Sequence, residues 1–380
     1  MAQPILQSAG RVSLSRYLSL KKCPSSKNGH NFSVVRIFLW YSIFIVSQRR
    51  VVPWEVLLLV TMTAPGPFQS TTSDHHSRTS SAADDSMMTI RTTAHGQQEV
   101  FGGKNNFWLY SKPHGYDLTH PRTPTSPLVF PRVPLETTKG PVAIDPTKTA
   151  LVVIDLQNYF LSPHIGRPSD AVGLKVVDKL LQHAIPACRK AGMPVVWMNW
   201  GLTEQDIEEM PPTIVQGFAT DNNFDGQRRI EGLGSDLGSV KLEDGTIIEG
   251  GRVLMPDQWN TALYTPLEEK RQPQDILIHK NRLSGFWGGT ASEGILKSRG
   301  IRSLIFSGAN VDQCVGGTLQ DAVSRGWDYF LLSDGCATTS PAFAQQCIEF
   351  NAELGWGFLL SCEDLERSVE NLQTSPGTGT

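Results

Sequence analysis

Three side chains of complementary chemistry stand at or just past the ends of apolar runs in this 380-residue chain. Asp155 closes ALVVID, Lys280 closes DILIHK, and Cys314 follows LIFSGANVDQ. A carboxylate can take a thiol proton, an ammonium can hold the charge of the pair, and a thiolate attacks a carbonyl carbon. Singly each residue has an ordinary explanation: a turn aspartate, a surface lysine, a core cysteine. Jointly they supply a base, a cation and a nucleophile. The segment around Cys314 strengthens the reading. Residues 304–306 read as a buried strand, Gly308 permits a sharp exit, and Val315, Leu319, Ala322 and Val323 recur at helical spacing. Cys314 is therefore expected at a helix N-terminus, where the helix dipole favours thiolate over thiol.

Positioning three such distant residues needs a particular scaffold. The continuous apolar run 150–154 is the pattern of a strand buried on both faces. A helix is expected over 169–190, closed by Gly192, with further strands at 194–198, 275–279, 328–332 and 357–360. Helices are expected over 290–299, 313–325, 341–354 and 363–372. Strand alternating with helix predicts a parallel sheet covered by helices on both faces, with the ligand at the carboxyl ends of the strands near the topological switch point.

The composition narrows the partners. A net charge of -3 implies no basic face for nucleic acid, so a small-molecule substrate is expected. Six cysteines in so long a chain do not make a disulfide framework, which points to a reducing, cytoplasmic setting. Residues 1–98 differ from the rest: no Asp or Glu precedes Glu55, whereas Arg11, Arg16, Lys21, Lys22, Lys27, Arg36, Arg49 and Arg50 do. This segment reads as disordered, as mitochondrial targeting, or as upstream of a true start at Met62, Met87 or Met88. Its apolar stretches 37–46 and 56–62 fall short of the ~20 residues of a membrane span. Residues 99–146 hold Trp108, Tyr110, Tyr116 and Phe130 among many prolines, the composition of an extended arm lying on a domain or reaching a second subunit. The body of the protein is expected at 147–372, in a homo-oligomer, with a disordered tail at 373–380.

The stretches TALVVIDLQNYFLSP, ILIHKNRLSGFWGGT and SGANVDQCVGGTLQDAVSRG, in that order, resemble the isochorismatase-like cysteine hydrolases. The resemblance covers about 144–365 and implies a catalytic triad of Asp155, Lys280 and Cys314. It also implies a non-proline cis peptide between Ala309 and Asn310, in a loop that aims backbone N–H groups at an oxyanion together with Cys314. The implied fold is a three-layer α/β/α sandwich, Rossmann-like, on a mainly parallel six-stranded sheet. No cofactor is implied. The metal site of nicotinamidase-like members, an Asp and two His after the second strand, has no counterpart in the His-free WMNWGLTEQDIEEMPP. Asp206, Glu208 and Glu209 in that stretch read as a solvated face, so no metal is expected. Retention of the cysteine favours attack on a C–N carbonyl, and VVWMNWG and KNRLSGF look most like ureidoacrylate amidohydrolases and their fungal relatives. The implied function is a cysteine hydrolase cleaving a small amide or ureido acid through a thioester. Vinyl ether hydrolysis of the isochorismatase type, or a non-catalytic binding protein of this fold, are the alternatives. Asn158, Tyr159, Trp197, Trp200, Phe286 and Trp287 are expected to wall the substrate pocket, and the Gly-rich segment 220–251 to form a lid or a solvated insertion.

Overall fold

Six strands carry the site: β1 (Thr149–Ile154), β2 (Val195–Trp200), β3 (Ile276–Lys280), β4 (Ser303–Ala309), β5 (Asp328–Ala337) and β6 (Phe358–Leu360). In this computed structural model the described residues are 98–218 and 232–376, with backbone alone for 18–19, 37–47, 50–60, 88–93, 96–97 and 219–220. The strands pair in the order β3-β2-β1-β4-β5-β6, and every pairing is parallel. The chain thus steps outward from β1 to β3, returns to place β4 on the other side of β1, and steps outward again. The point of reversal lies between β1 and β4, and the carboxyl ends of those strands open a crevice there.

Apolar runs become strands because both faces are covered. On one face Leu151, Val153, Trp197, Ile305 and Phe330 pack against Val172–Lys179, Ile185–Ala191 and Cys362–Glu370. On the other, Val152, Ile154, Met198, Leu304 and Phe306 pack against Ser292–Ser298, Gly316–Ser324 and Ala342–Asn351. This is the three-layer sandwich expected. Val152 and Ile305 have no exposed surface, and full burial of such side chains contributes about 1.5–3 kcal/mol each. The long helix expected over 169–190 is interrupted by a π turn at Leu180–Ala184. Pro186 explains it, since proline has no N–H to give back to the preceding turn. Gly192, at φ 76°, ends the run as expected.

The segment expected to be an extended arm is a second sheet instead. Its strands run Met88–Thr93, Gly96–Gly103, Asn106–Ser111, Gly115–Leu118, Gly140–Ile144, Val133–Thr137 in spatial order, antiparallel except where Gly115–Leu118 pairs with Gly140–Ile144. The boundary placed at 98/99 cuts through one of them. Pro113, Pro121, Pro124, Pro127 and Pro131 fall between strands, and Pro134 lies on the edge strand, so these prolines punctuate the sheet without forbidding it. The sheet does lie on the sandwich: Leu118, Leu135, Val142 and Ile144 join its core, and Trp108 and Tyr116 pack on Phe358 with ring centroids 5.5 and 5.4 Å away. The tail is tied down at its start, where Gln373 and Arg132 exchange two backbone hydrogen bonds of 2.9 Å.

Residues 1–83 form a separate unit, in which Ile37–Ser47 and Arg50–Val60 pair as an antiparallel hairpin. The rest of the targeting or disordered segment, and the tail from 377, lie outside the described residues, as does 221–231 of the expected lid. Residues beyond it form a small hairpin of Ser239–Lys241 and Ile247–Glu249. Asn260 anchors that insertion, donating to the carbonyls of Gly250 and Arg252 at 2.9 and 3.0 Å and accepting from the Leu254 N–H at 2.8 Å. No helix among the described residues is long and apolar enough to cross a membrane.

Candidate active site

The strand order brings Lys280, Asp155 and Cys314 to one edge of the sheet. Asp155 follows β1 at φ 55°, a left-handed turn unusual for a residue with a side chain. Its N–H donates to the Met198 carbonyl at 3.1 Å, and its Oδ1 accepts from the Trp200 N–H at 3.2 Å. Opposite it, Gly308 runs at φ 120°, and a Cβ there would stand 2.1 Å from the Ile154 carbonyl oxygen. Only glycine lets β4 approach β1 so closely at this edge. The next peptide, between Ala309 and Asn310, is cis as the resemblance implied. A π turn, Val311–Val315, then leads into the helix, with the Asn310 carbonyl accepting from the N–H groups of Gln313 and Val315, both at 3.1 Å. Cys314 sits within this turn, and its carbonyl accepts from the Thr318 hydroxyl at 2.6 Å.

Lys280 is the last residue of β3 and has no exposed surface. Its Nζ lies 2.9 Å from Asp155 Oδ2, 3.1 Å from the Arg282 carbonyl and 3.9 Å from the centroid of the Trp200 ring. A carboxylate, a carbonyl and a π face thus surround an ammonium that has three protons to place. The Cys314 thiol stands beside the same Asp155 carboxylate, near enough for each to shift the other's proton affinity. Asp155 therefore bridges cation and thiol.

Burial sets the electrostatics. It raises the Asp155 pKa above the ordinary carboxylate value, opposed by the charge and hydrogen bond of Lys280 and by the donors Cys314 and Trp200. It also pushes the Cys314 thiol up to about 12, a rise that Lys280 resists and Asp155 reinforces. The expected dipole-stabilised thiolate is thus corrected: a helix end supplies ~1 kcal/mol, which desolvation of a fully buried group outweighs. The resting site holds a thiol beside a buried carboxyl group.

The residues expected to wall the pocket divide. Tyr159 and Trp200 share an apolar cluster with Cys314. Asn158 is buried nearby and donates to the Trp259 carbonyl at 2.9 Å. Trp197 is elsewhere: its indole donates to Asp275 on the opposite face, where Arg189 also binds that carboxylate, each at 3.0 Å. Strand side chains alternate, so positions 197 and 200 cannot share a face. Phe286 is a core residue packed edge-on against Trp327 at 5.6 Å. Trp287 donates to Asn281 at 2.7 Å and lies under the Arg282 guanidinium at 4.9 Å, forming a rim beside Lys280. Asp206 caps its own helix through Thr203 and accepts from Asn281 at 2.5 Å. Among the described residues no group of three or more His, Cys, Asp or Glu is placed to hold a metal ion.

Sequence reasoning missed Gln157. Its amide donates to the carbonyls of Trp200 and Thr261 at 2.9 and 2.7 Å and accepts from the Trp200 N–H at 3.0 Å, locking β1, β2 and the segment after the insertion together. The signal available was an amide two residues past Asp155, on the same stretch as Asn158. A cavity of about 340 Å³ lies away from this edge, in the second sheet between Leu109, Tyr110, Tyr116, Asp117 and Arg132. It contains none of the residues around Cys314.

Among solved structures the chain is similar to a cysteine hydrolase from Pseudomonas syringae pv. phaseolicola, at 17% identity over 64% of this chain and 99% of that one, with a TM-score of 0.46. It is similar to N-carbamoylsarcosine amidase from Thermoplasma acidophilum at 21% identity over 57% and 97% of the two chains, with a TM-score of 0.40. An isochorismatase family protein from Desulfovibrio vulgaris matches at 19% identity over 59% and 98%, with a TM-score of 0.43. The family model described as "Isochorismatase domain" matches residues 149–355, which span β1 to the end of the helical turn before β6. That match takes in more than half of the chain and all three residues of the buried cluster, and by it the chain belongs to the isochorismatase family.

Proposed function

We propose that the protein is a cysteine hydrolase that cleaves the C–N bond of a small amide or ureido acid, with Cys314 as nucleophile, Asp155 as base and acid, and Lys280 as the cation that keeps Asp155 ionised. The observation that carries this reading is the buried Asp155 carboxyl group, 2.9 Å from the Lys280 ammonium on one side and close enough to the Cys314 thiol on the other to shift its proton affinity. A structural pair would not need a thiol at the third position.

In this reading the chemistry runs in two stages. Sulfur attacks the carbonyl carbon while its proton passes to Asp155, and the oxyanion is held by backbone N–H groups of Cys314 and the loop at Asn310. As the tetrahedral intermediate collapses, the C–N bond breaks and protonated Asp155 returns the proton to the leaving nitrogen. Water then attacks the thioester, giving its proton to Asp155, and the released thiol is reprotonated. Carboxylate and thiol each end as they began. A buried carboxyl group with a raised pKa suits both halves of this cycle, since it holds a proton more readily than an ordinary carboxylate and can still give it up.

A panel of small amides, ureido acids and isochorismate, scored by ammonia or acid release, tests the substrate class. With an active substrate, rapid acid quench and intact mass measurement should show an acyl adduct on Cys314. Undiminished turnover by a Cys314→Ala variant would overturn the reading.

A further inference from the structure

Trp200 lies on β2, between the strand that ends in Lys280 and the strand that ends in Asp155, and it touches the whole cluster. Its backbone is fixed on both sides: its N–H donates to Asp155 Oδ1 and to Gln157 Oε1, and its carbonyl accepts from Gln157 Nε2. Its ring face lies 3.9 Å from the Lys280 ammonium. The side chain is wholly buried, yet its Nε1–H makes no hydrogen bond of normal geometry in the resting site, although the Cys314 sulfur lies close enough to feel it. Buried indoles normally find a partner, and one left unmet beside reacting groups calls for a reason.

Resting on the cysteine-hydrolase reading above, we propose that the indole N–H of Trp200 donates a hydrogen bond to the Cys314 sulfur as that sulfur becomes a thiolate during attack. A neutral thiol is a weak acceptor and a thiolate a strong one, so the bond is worth little before the proton leaves and much more afterwards. Binding that grows with developing charge lowers the barrier without tightening the ground state. The electrostatics agree in sign, because Trp200 acts to hold the Cys314 pKa down against burial. Lys280 can supply the counter-charge from the ring face while the ring edge supplies the donor. One side chain then reads both ends of the proton transfer.

The test separates the N–H from the ring. Trp200→Phe removes the donor but also shrinks the side chain, so a second variant carries 3-benzothienylalanine at position 200, which keeps the ring's shape and replaces the N–H with sulfur. Both should lower kcat and the rate of Cys314 alkylation by iodoacetamide roughly ten-fold or more, the loss expected for a charge-assisted bond, with KM little changed. The benzothienyl variant should melt no lower than the wild type, since it deletes an unmet buried donor. Trp327→Phe is the control: Trp327 also buries an unpartnered Nε1–H, but it stands just before β5, at the opposite edge of the sheet. Its alkylation rate at Cys314 should match the wild type. Wild-type kcat and alkylation in the benzothienyl variant would overturn the proposal, and would do so even with Trp200→Phe impaired, because the ring contact with Lys280 would then carry the effect. Failure of the underlying reading looks different. Cys314→Ser would keep its turnover, whereas the alkylation rate tests the indole bond with no substrate present.

Discussion

Two buried aspartates mark opposite edges of the same sheet. Asp328 opens β5 at the amino edge, where its oxygens accept from the Trp108 indole at 2.7 Å and the Ser303 hydroxyl at 2.9 Å and meet His120 Nε2 at 2.5 Å. Asp155 follows β1 at the carboxyl edge, with Lys280, the Trp200 N–H and the Cys314 thiol as its partners. Both carboxylates are almost fully buried, and both are paired with a basic side chain. What separates them is the third partner. Asp328 fastens Trp108 of the second sheet and His120, just past the strand Gly115–Leu118, to Ser303 at the start of β4, and no thiol is among its partners. Asp155 holds a group whose proton can leave. Burial and charge pairing alone therefore do not single out a reactive site; the edge of the sheet and the chemistry of the remaining partner do.

The contrast is easiest to break at Cys314. Cys314→Ser should keep the fold and lower hydrolysis by about three orders of magnitude or more, as a hydroxyl with no comparable acidity replaces the thiol. Steady-state turnover and a melting curve on the same preparation check both halves. Lys280→Met comes next. It leaves Asp155 buried without its counter-charge, so the carboxyl pKa climbs further and the base is protonated over more of the neutral range. Turnover at neutral pH should fall by about a hundred-fold or more. The acid limb of the rate profile should move to higher pH, because activity is present above the raised Asp155 pKa and lost as pH falls through it. An unmoved limb would detach Lys280 from the base.

Asp328→Asn should do the reverse. Loss of the charged acceptor should cost about 1–3 kcal/mol in urea unfolding while kcat and the acid limb stay where they were. The smallest effect concerns the thiols. Burial pushes Cys188, like Cys314, up to about 12. A group with a raised folded pKa contributes stability that is full below its unfolded value and is lost as pH rises through the folded one. Unfolding midpoints should therefore decline above about pH 9. Alkylation of Cys314 should keep rising through that range without a plateau, whereas a plateau near neutrality would restore the dipole-lowered thiol.

The scaffold was legible because its signals are local and strong. Runs such as 150–154 and 304–306, alternating with helical periodicity, already imply a parallel sheet, and Asp155 and Lys280 at the ends of such runs already imply one edge. The order of the strands, and hence the place of Trp200 between Lys280 and Asp155, is a property of long-range pairing that periodicity does not carry. Trp197 stands apart from the site for a simpler reason: strand side chains alternate, so an aromatic at 197 faces away from one at 200. The thiol departs from the expected thiolate because helix position is visible in a sequence and desolvation is not. In residues 99–146 the prolines dominated the composition, yet they sit largely between strands, and the alternating stretch 106–111, with Phe107, Leu109 and Ser111 turned inward, held the β signal.

The pairing of β1 with β4, from Thr149 beside Ser303 to Ile154 beside Gly308, also governs when the chemistry can come into being. The whole of β2, β3 and the insertion lies between the two strands along the chain, so this contact closes one of the longest loops in the sheet and forms late if loop entropy sets the order. A chain emerging from the ribosome completes β1, with its carboxylate, long before the segment bearing Cys314 exists. Until β4 docks, that cysteine is an ordinary thiol with no base beside it. On the proposed reading, the base and the nucleophile therefore meet only when this pairing forms.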